Sequence, residues 1–361
     1  MKIGDLDLGH KLLLAPMADI SDSSFRKICK EQGAGLTYTQ MISAKGVIEG
    51  NFDQLKLLAF DKREKPLGVQ ILGSDPGIIG EAVKEIAKYK PDIIDINSGC
   101  PIDKVTKHNF GACILDNKIL LGEIVKSMVN SSGGIPISVK IRLGRDEKNI
   151  NILENARVVE ENGASLLIVH TRTRKEKYYE PANWKDLASI KKAISIPLVG
   201  NGSVFTPTDA KNMIEQTGCD SVMIARGALG TPFIFSRFNK LMETGIDPGV
   251  SDVKEVAEVA LRHLDYLESE KGEFVALGHA KKNFVWYFRE FNGISKILED
   301  VFSINKYSTL REYVQEHAEK ILRGEFENEN FDEIKRKFLV KVLFWLPDAD
   351  YDASKSNNKK G

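Results

Sequence analysis

The sequence predicts a (β/α)8 TIM barrel followed by a C-terminal all-helical domain, and three observations support this α/β fold class. Short apolar segments alternate with helical patterns over about 230 residues, close to the roughly 250 residues of a typical barrel of this kind. Polar residues follow the ends of most of these segments, where parallel sheets carry their sites. Beyond about residue 244 the strand patterns stop, and long amphipathic patterns take their place.

The predicted barrel strands are short apolar runs, typical of parallel strands that are buried on both faces. The fourth run, DIIDI, ends abruptly at Asn97-Ser98-Gly99-Cys100-Pro101, where glycine allows a tight turn and proline stiffens the exit. In chain order, the eight predicted strands are Lys11–Leu14, Leu36–Thr39, Leu67–Leu72, Asp92–Ile96, Pro136–Ile141, Ser165–Val169, Pro197–Val199 and Asp220–Ile224.

Helical spacing of apolar residues predicts helices between these strands. Ser21 or Asp22, Asp75-Pro76 and Thr206-Pro207 are start signals, and Gly218 is an end signal. The predicted helices cover approximately residues 22–32, 75–89, 119–129, 149–162, 184–193 and 206–218.

The last third of the chain has a different character. Gly245–Ser251 contains Pro248 and two glycines, which indicates a linker. We therefore predict a catalytic domain over residues 1–244, a helical domain of about four helices over 252–346 and a disordered polar tail over 350–361. The amphipathic runs are Val256–Leu267, His279–Phe291, Ser308–Leu322 and Phe331–Leu346.

Composition limits the function classes. The 51 basic and 51 acidic residues balance, which argues against nucleic-acid binding by bulk charge but leaves a local basic face possible. We expect a cytoplasmic protein without membrane contact, because the apolar runs are too short for a membrane span and the N-terminus lacks an apolar leader. The four cysteines form no CxxC pair or zinc spacing, so we expect reduced thiols and no metal site.

Candidate site residues cluster at the predicted strand ends. Cys100, on a tight loop after a buried strand, is well placed to meet a ligand, although a small buried structural cysteine is an equal alternative from spacing alone. Each polar residue by itself could be structural, but seven of the eight strand ends carry such groups. They are Pro16-Met17, Gln70, Asn97 with Cys100, Lys140, His170 with Arg172, Asn201-Gly202 and Arg226-Gly227.

Two glycine-containing turns point to a phosphorylated cofactor. Gly200-Asn201-Gly202 and Ala225-Arg226-Gly227 follow strands seven and eight, where barrels commonly bind phosphate with backbone N–H groups. Lys140 is able to form a Schiff base or to donate to a ring carbonyl, and the Gln70 amide both donates and accepts. A flat heterocycle with imide edges, such as a flavin, would suit these groups.

An ordered set of motifs resembles the tRNA-dihydrouridine synthase family, and most closely its bacterial B-type subfamily. The sequence differs from many relatives at Ser203, where they have Asp, and at Ala225, where they have Gly. The motifs are Pro16–Arg26 (PMADISDSSFR), Asn97–Pro101, Lys140–Arg142, His170–Arg172, Gly200–Gly202, Ala225–Gly227 and, in the helical region, Gly278–Asn292.

The resemblance implies an FMN enzyme that uses NADPH to reduce the C5–C6 double bond of uridines in tRNA, and we expect it to be a monomer. Cys100 would protonate C5 after hydride reaches C6, since a thiol with a reference pKa near 8.5 is mostly protonated at neutral pH. The implied cofactor-binding residues are Pro16, Met17, Ala18, Gln70, Lys140, His170, Gly200, Asn201, Gly202, Ala225 and Arg226.

The resemblance also assigns the substrate side. Asn97, Arg172 and also His170 would face the uracil, and Lys281 and Lys282 would bind tRNA. Further candidate contacts to the RNA backbone are Lys104, Lys107, Arg174, Lys175, Lys177 and Arg289.

Three alternatives remain open at this stage. An FMN barrel acting on a free dihydropyrimidine, similar to dihydroorotate dehydrogenase, would not need the helical domain or Lys281-Lys282. A Schiff-base aldolase would hold no flavin, and borohydride would trap its Lys140. A non-catalytic RNA-binding module would keep its function after Cys100→Ala.

Overall fold

The computed structural model describes residues 1–178 and 180–327, and it contains a parallel β-barrel surrounded by helices. The eight predicted strands are confirmed, with ends shifted by a few residues at most. An antiparallel hairpin of β1 (Lys2–Ile3) and β2 (Leu6–Asp7) precedes them. The barrel strands are β3 (Leu13–Leu14), β4 (Thr37–Tyr38), β6 (Leu67–Leu72), β7 (Ile93–Ser98), β8 (Ile137–Arg142), β9 (Leu166–His170), β10 (Leu198–Asn201) and β11 (Ser221–Ile224), with the short β5 (Ile42–Ser43) beside β6.

The barrel closes between its first two strands. Strand order around the sheet is β3-β11-β10-β9-β8-β7-β6-β4, and every pair in it is parallel. The Leu14 N–H donates to the Leu36 carbonyl at 2.9 Å, which joins β3 to the start of β4. All barrel strands therefore have their carboxyl ends on one side, where barrel enzymes carry their sites.

All six helices predicted among the barrel strands are present, and four further helices in the described residues before residue 245 were not predicted. The Asp22 carboxylate caps the first barrel helix by accepting from the Phe25 N–H at 3.0 Å, and Thr206 with Asp209 forms a capping box. Gly218 ends that later helix with a positive φ of 71°. The helices are α1 (Ser23–Glu31), α2 (Ala44–Ile48), α3 (Phe52–Lys56), α4 (Pro76–Ala87), α5 (Asp103–Thr106), α6 (Lys118–Ser131), α7 (Ile152–Glu161), α8 (Lys185–Ala193), α9 (Pro207–Thr217) and α10 (Ile234–Thr244).

The inside of the barrel is apolar in its lower half. Ile93, Leu166 and Val199 belong to a buried cluster that also includes residues of the β1–β2 hairpin, such as Ile3. These buried side chains fill the lower half of the barrel, so ligands have access only from the carboxyl ends of the strands. Polar groups in the upper half of the interior are therefore candidates for the site.

A second compact unit contains the remaining helices, α11 (Val253–Lys271), α12 (Glu273–Tyr287), α13 (Ile294–Asp300) and α14 (Tyr307–Leu322), together with Leu229–Thr231. Three of the four predicted amphipathic runs correspond to α11, α12 and α14, whereas α13 was not predicted. The predicted run Phe331–Leu346 and the tail 350–361 lie outside the described residues.

The limits of α12 differ from the predicted His279–Phe291. This helix begins at Glu273, immediately after Gly272, whose φ of 73° breaks it from α11. Amphipathic spacing alone does not show such a break, because both helices bury one side.

Among the described residues, no helix has the length and apolarity required to cross a membrane.

Candidate active site

The carboxyl ends of neighbouring strands bring several predicted site residues together. Sheet register pairs Asn97 with Lys140 across β7 and β8, and Asn201 with His170 across β10 and β9. Gln70 lies one strand further along, paired with Asp95. Paired residues of parallel strands lie side by side, so Asn97 lies beside Lys140 and Asn201 beside His170 toward the carboxyl ends of their strands.

The Cys100 loop is fixed by hydrogen bonds on both sides. The Asn97 side-chain oxygen accepts from the backbone N–H of Cys100 at 2.9 Å and of Gly99 at 3.2 Å. From the neighbouring strand, Arg142 Nε donates to the Gly99 carbonyl at 2.8 Å. The Cys100 residue keeps part of its surface exposed, whereas Cys29 is fully buried. Its position therefore suits a reactive thiol better than a structural one.

A chain of polar side chains runs through the barrel interior below this loop. Asp95 accepts from the Ser138 hydroxyl at 2.6 Å and from the Gln70 amide nitrogen at 2.7 Å. The Gln70 amide oxygen in turn accepts from the Asn97 amide nitrogen at 2.9 Å. Tyr38 extends the chain, with its hydroxyl 3.3 Å from that of Ser138.

Sequence reasoning missed Asp95 and Ser138. A usable signal was present, because Asp95 and Asn97 are two residues apart in one strand and therefore point to the same face. An acidic residue at an inward position of an otherwise apolar strand indicates a buried polar partner.

One group on β7 and one on β8 have strongly shifted pKa values. Burial raises the pKa of Asp95 to about 7, against the opposing hydrogen bonds of Ser138 and Gln70. Burial and the nearby Arg142 charge lower the pKa of Lys140 to about 8, against the opposing charge of Asp95. Both groups therefore titrate close to neutral pH, and such groups are concentrated at functional sites.

His170 is neutral at physiological pH. Burial, followed by the positive charges of Arg142, Lys140, Arg172 and Arg226, holds the pKa of His170 well below its ordinary value. This end of the barrel is therefore rich in positive charge and suited to an anion.

Arg172 and Ser203 connect the ends of β9 and β10. Arg172 lies with one nitrogen 3.1 Å from His170 Nε2, and it donates from another to the Ser203 hydroxyl at 2.9 Å. The same hydroxyl accepts from the Ala182 N–H at 3.0 Å. Ser203 thus accepts two hydrogen bonds as an uncharged residue.

The two glycine-containing turns after β10 and β11 pack closely against neighbouring segments, so a side chain at either glycine would collide with the protein. Gly202 has a φ of 130°, and a Cβ there would lie 2.8 Å from the Thr171 hydroxyl oxygen. A Cβ on Gly227 would lie 2.4 Å from a backbone carbonyl oxygen. Nearby, the Arg226 guanidinium lies over the Phe205 ring at 5.3 Å. Asn201 donates to the Met223 carbonyl at 2.8 Å, which fixes the first turn to β11.

Gly200 differs from the other predicted phosphate-site glycines. A Cβ there would lie 2.5 Å from Met213 Sδ, in the helix layer. The absence of a side chain at Gly200 therefore lets α9 pack against β10.

The Pro16-Met17-Ala18 segment follows β3 and is partly exposed. The Ser21 hydroxyl holds it by accepting from the Met17 N–H at 2.9 Å and donating to the Met17 carbonyl at 3.1 Å. Arg26 Nη1 donates to the Ser21 carbonyl at 2.7 Å, and its Nε binds the buried Glu64 carboxylate at 2.6 Å. A buried ion pair therefore supports this turn.

The predicted tRNA-binding lysines belong to the helical unit. Lys281 donates to the Phe302 carbonyl at 3.2 Å, and Lys282 lies 5.4 Å from the centre of the Trp286 ring. Both residues are partly exposed.

The other candidate RNA contacts have varied surroundings. Lys104 and Lys107 are exposed at α5. Arg174 donates to Cys113 at 3.2 Å, and Lys175 pairs with Asp146 at 2.9 Å. In the helical unit, a guanidinium nitrogen of Arg289 donates to the Thr231 hydroxyl at 3.1 Å.

Comparison with known proteins identifies the family. The model of the family described as dihydrouridine synthase (Dus) matches residues 13–323. The tRNA-dihydrouridine synthase B of Pseudomonas aeruginosa is 35% identical over 306 residues, which cover 83% of this chain and 92% of that protein. The protein of the same name from Vibrio parahaemolyticus is 34% identical over 296 residues, which cover 82% of this chain and 92% of that protein.

Solved structures of low sequence identity share the fold. Histamine dehydrogenase from a Rhizobium species matches with a TM-score of 0.54 at 14% identity, covering 73% of this chain and 50% of that one. An old yellow enzyme homologue from Zymomonas mobilis matches with a TM-score of 0.50 at 13% identity, covering 71% of this chain and 94% of that one. The family match over most of the length, together with the barrel and the Cys100 loop, confirms the resemblance noted in the sequence: the chain belongs to the dihydrouridine synthase family of oxidoreductases.

Proposed function

We propose that the protein reduces the C5–C6 double bond of uridines in tRNA to 5,6-dihydrouridine, with FMN as cofactor and NADPH as reductant, in the cytoplasm. The observation that carries the proposal is the fixed Cys100 loop beside Asn97 and Lys140 at the open end of the barrel. The shared name of the relatives from Pseudomonas aeruginosa and Vibrio parahaemolyticus, tRNA-dihydrouridine synthase B, supports tRNA as the substrate.

The chemistry of the residues fits FMN. The ring would be held by Lys140 and Gln70, a cation and an amide suited to its imide edge, above the Pro16–Ala18 turn. The phosphate would be held at the positively charged end near Arg226, by its guanidinium and by backbone N–H groups of the two glycine-containing turns. When bound, the flavin supplies the hydride that adds to C6 of the uracil.

Cys100 is proposed as the acid that completes the reduction. Hydride addition at C6 places negative charge on the ring, and a proton at C5 removes it, so the two additions together supply the elements of H₂. Cys100 donates that proton from its thiol and recovers one from water. Asn97 and Arg172 are proposed to bind the uracil edge, where donors stabilise the developing charge.

The helical domain predicted over residues 252–346 is proposed to bind the tRNA. Lys281 and Lys282 occupy adjacent positions on α12 and keep exposed surface, so both are able to contact phosphates. The uridine must leave its stack to reach the barrel, and contacts to the surrounding RNA can offset that free-energy cost.

The test is dihydrouridine formation in tRNA isolated from cells that lack the gene. Purified wild-type protein with NADPH should form dihydrouridine, and Cys100→Ala should retain tRNA binding but lose at least 100-fold in rate, in the range expected for loss of a general acid. Cys113→Ala is the matched control, since Cys113 is also a partly exposed thiol, and it should stay within threefold of wild type. Flavin-containing protein that oxidises NADPH without forming dihydrouridine would refute the proposal.

A further inference from the structure

We propose that Asp95 is a positioning residue that sets the orientation of the Gln70 and Asn97 amides and, through them, the backbone of the Cys100 loop. This inference rests on the proposed role of Cys100 as the acid. The evidence is the direction of four hydrogen bonds. Gln70 donates to Asp95, Asn97 donates to Gln70, and the backbone N–H groups of Cys100 and Gly99 both donate to Asn97.

The first step is the effect of Asp95 on Gln70. Above its pKa of about 7 the Asp95 carboxylate is ionised and only accepts hydrogen bonds, and this buried group faces the Gln70 amide at 2.7 Å. Gln70 must therefore turn its NH₂ group down toward Asp95. Its oxygen is left to face upward, where it lies 2.9 Å from the Asn97 amide nitrogen.

The second step passes this orientation to the loop. Because Gln70 presents an oxygen, Asn97 must present its NH₂ group to Gln70 and its oxygen to the loop. That oxygen accepts from the Cys100 N–H at 2.9 Å and the Gly99 N–H at 3.2 Å. A reversed Asn97 amide would place donors against these two backbone donors, so the loop would have to move.

Core packing does not explain a carboxylate at this position. The interior below it is filled by apolar residues such as Ile93 and Leu166. Burial raises the pKa of Asp95 to about 7, so the charged form is costly to the fold at neutral pH. A role in orienting other groups accounts for a residue that packing alone would replace with an apolar one.

The test measures how fast iodoacetamide alkylates Cys100. The rate is followed by mass spectrometry of the Cys100 peptide, from pH 7 to 9.5, on full-length protein saturated with FMN and on protein stripped of flavin. The pH profile separates a change in thiol pKa from a change in access. The stripped protein needs neither flavin nor tRNA, so its result does not depend on whether the proposed reaction is correct.

Asp95→Asn keeps the shape of the side chain, but the new amide can present either an oxygen or an NH₂ group to Gln70. Both orientations of the Gln70 amide therefore become available. The limiting alkylation rate of Cys100 should rise at least threefold. On protein stripped of flavin, where position 70 holds no cofactor, the double variant Asp95→Asn with Gln70→Glu should return to within twofold of the wild-type alkylation rate, because a carboxylate at position 70 again only accepts from position 97.

Ser138→Ala is the matched control. It removes the other donor to Asp95 at 2.6 Å but leaves the Gln70 contact in place, so the rate should stay within twofold of wild type. A purely structural role predicts similar effects of Asp95→Asn and Ser138→Ala and no rescue by Gln70→Glu.

The inference is overturned if Cys100 of Asp95→Asn is alkylated at the wild-type rate. It is also overturned if the alkylation rate of the double variant differs from that of wild type by more than threefold. Should Asp95→Asn not fold, the double variant alone decides: a soluble protein with a wild-type rate supports the inference, and an insoluble one counts against it.

Discussion

Replacing Glu64 by Gln should both destabilise the barrel unit and weaken FMN binding. Glu64 is fully buried and accepts from the Arg26 Nε, the Ser23 hydroxyl and the Asp61 N–H at 2.6, 2.6 and 2.7 Å. The Arg26 side chain is only 3% exposed. Glu64→Gln removes the charge but keeps the volume, so it leaves a buried guanidinium without its counter-charge.

The expected magnitude follows from this burial. Breaking a buried pair on one side typically costs 3–5 kcal/mol, and an amide oxygen still able to accept from Arg26 favours the lower end, about 3 kcal/mol. For a domain of this size, that corresponds to a decrease in Tm of roughly 6–12 °C. Arg26 also donates to the Ser21 carbonyl, and Ser21 holds Met17, so the proposed flavin-binding turn should loosen as well.

The assay combines thermal unfolding with FMN titration. Arg63→Ala is the control, since its pair with Asp61 is exposed at 58% and 36% and should contribute less than about 1 kcal/mol. We expect Glu64→Gln to lower the Tm and to weaken FMN affinity severalfold, with little effect of Arg63→Ala. Equal Tm values for the two variants would refute the reasoning about the buried pair. An unchanged FMN affinity in a destabilised Glu64→Gln protein would refute its extension to Met17.

Three further predictions concern the site and the helical domain. Gly202→Ala should weaken FMN binding at least tenfold in a titration, because its φ of 130° and a Cβ contact of 2.8 Å both oppose a side chain; unchanged affinity would remove this turn from the phosphate site. Burial raises the pKa of Asp95 from 3.8 to about 7, so between these pH values the folded state holds a proton that the unfolded state has released. The urea midpoint of wild type should therefore fall relative to that of Asp95→Asn as pH rises from about 4 to about 7. Midpoints of the two proteins that change in parallel with pH would contradict the raised pKa. Lys281→Glu combined with Lys282→Glu should weaken tRNA binding and reduce its salt slope by about 2, whereas the exposed control Lys254→Glu should change neither; equal effects would locate the RNA contacts elsewhere.

The barrel strands were predictable because both of their faces are buried. A run such as Ile93-Ile94 is apolar without alternation, and it lies between a proline and a glycine-containing turn. The β1–β2 hairpin was not predictable in this way, since its strands have two residues each and show no period. Thr206 was recognised as a helix start and Asp22 as one of two candidates, with Ser21, because the capping mechanism is local.

The residue types of the site followed from the sequence, but their partners did not. Gly200 and Gly202 look equivalent in the sequence, yet a Cβ at Gly200 would meet Met213 in the helix layer and one at Gly202 would meet Thr171. Which neighbour a side chain would meet depends on the direction in which each residue of the segment faces, and the sequence does not state that direction. The link from Asp95 to Gln70 joins two strands through a register that the sequence does not state.

The most direct test of the central claim is a single turnover of the reduced flavoprotein. The reduced protein is mixed without oxygen with tRNA that lacks dihydrouridine or, separately, with orotate, and flavin absorbance and product are followed together. We expect rapid flavin reoxidation by tRNA with equal formation of dihydrouridine, a rate at least 100-fold lower in Cys100→Ala, and little reaction with orotate. Reoxidation by orotate but not by tRNA would contradict the account and favour a dehydrogenase of free pyrimidines.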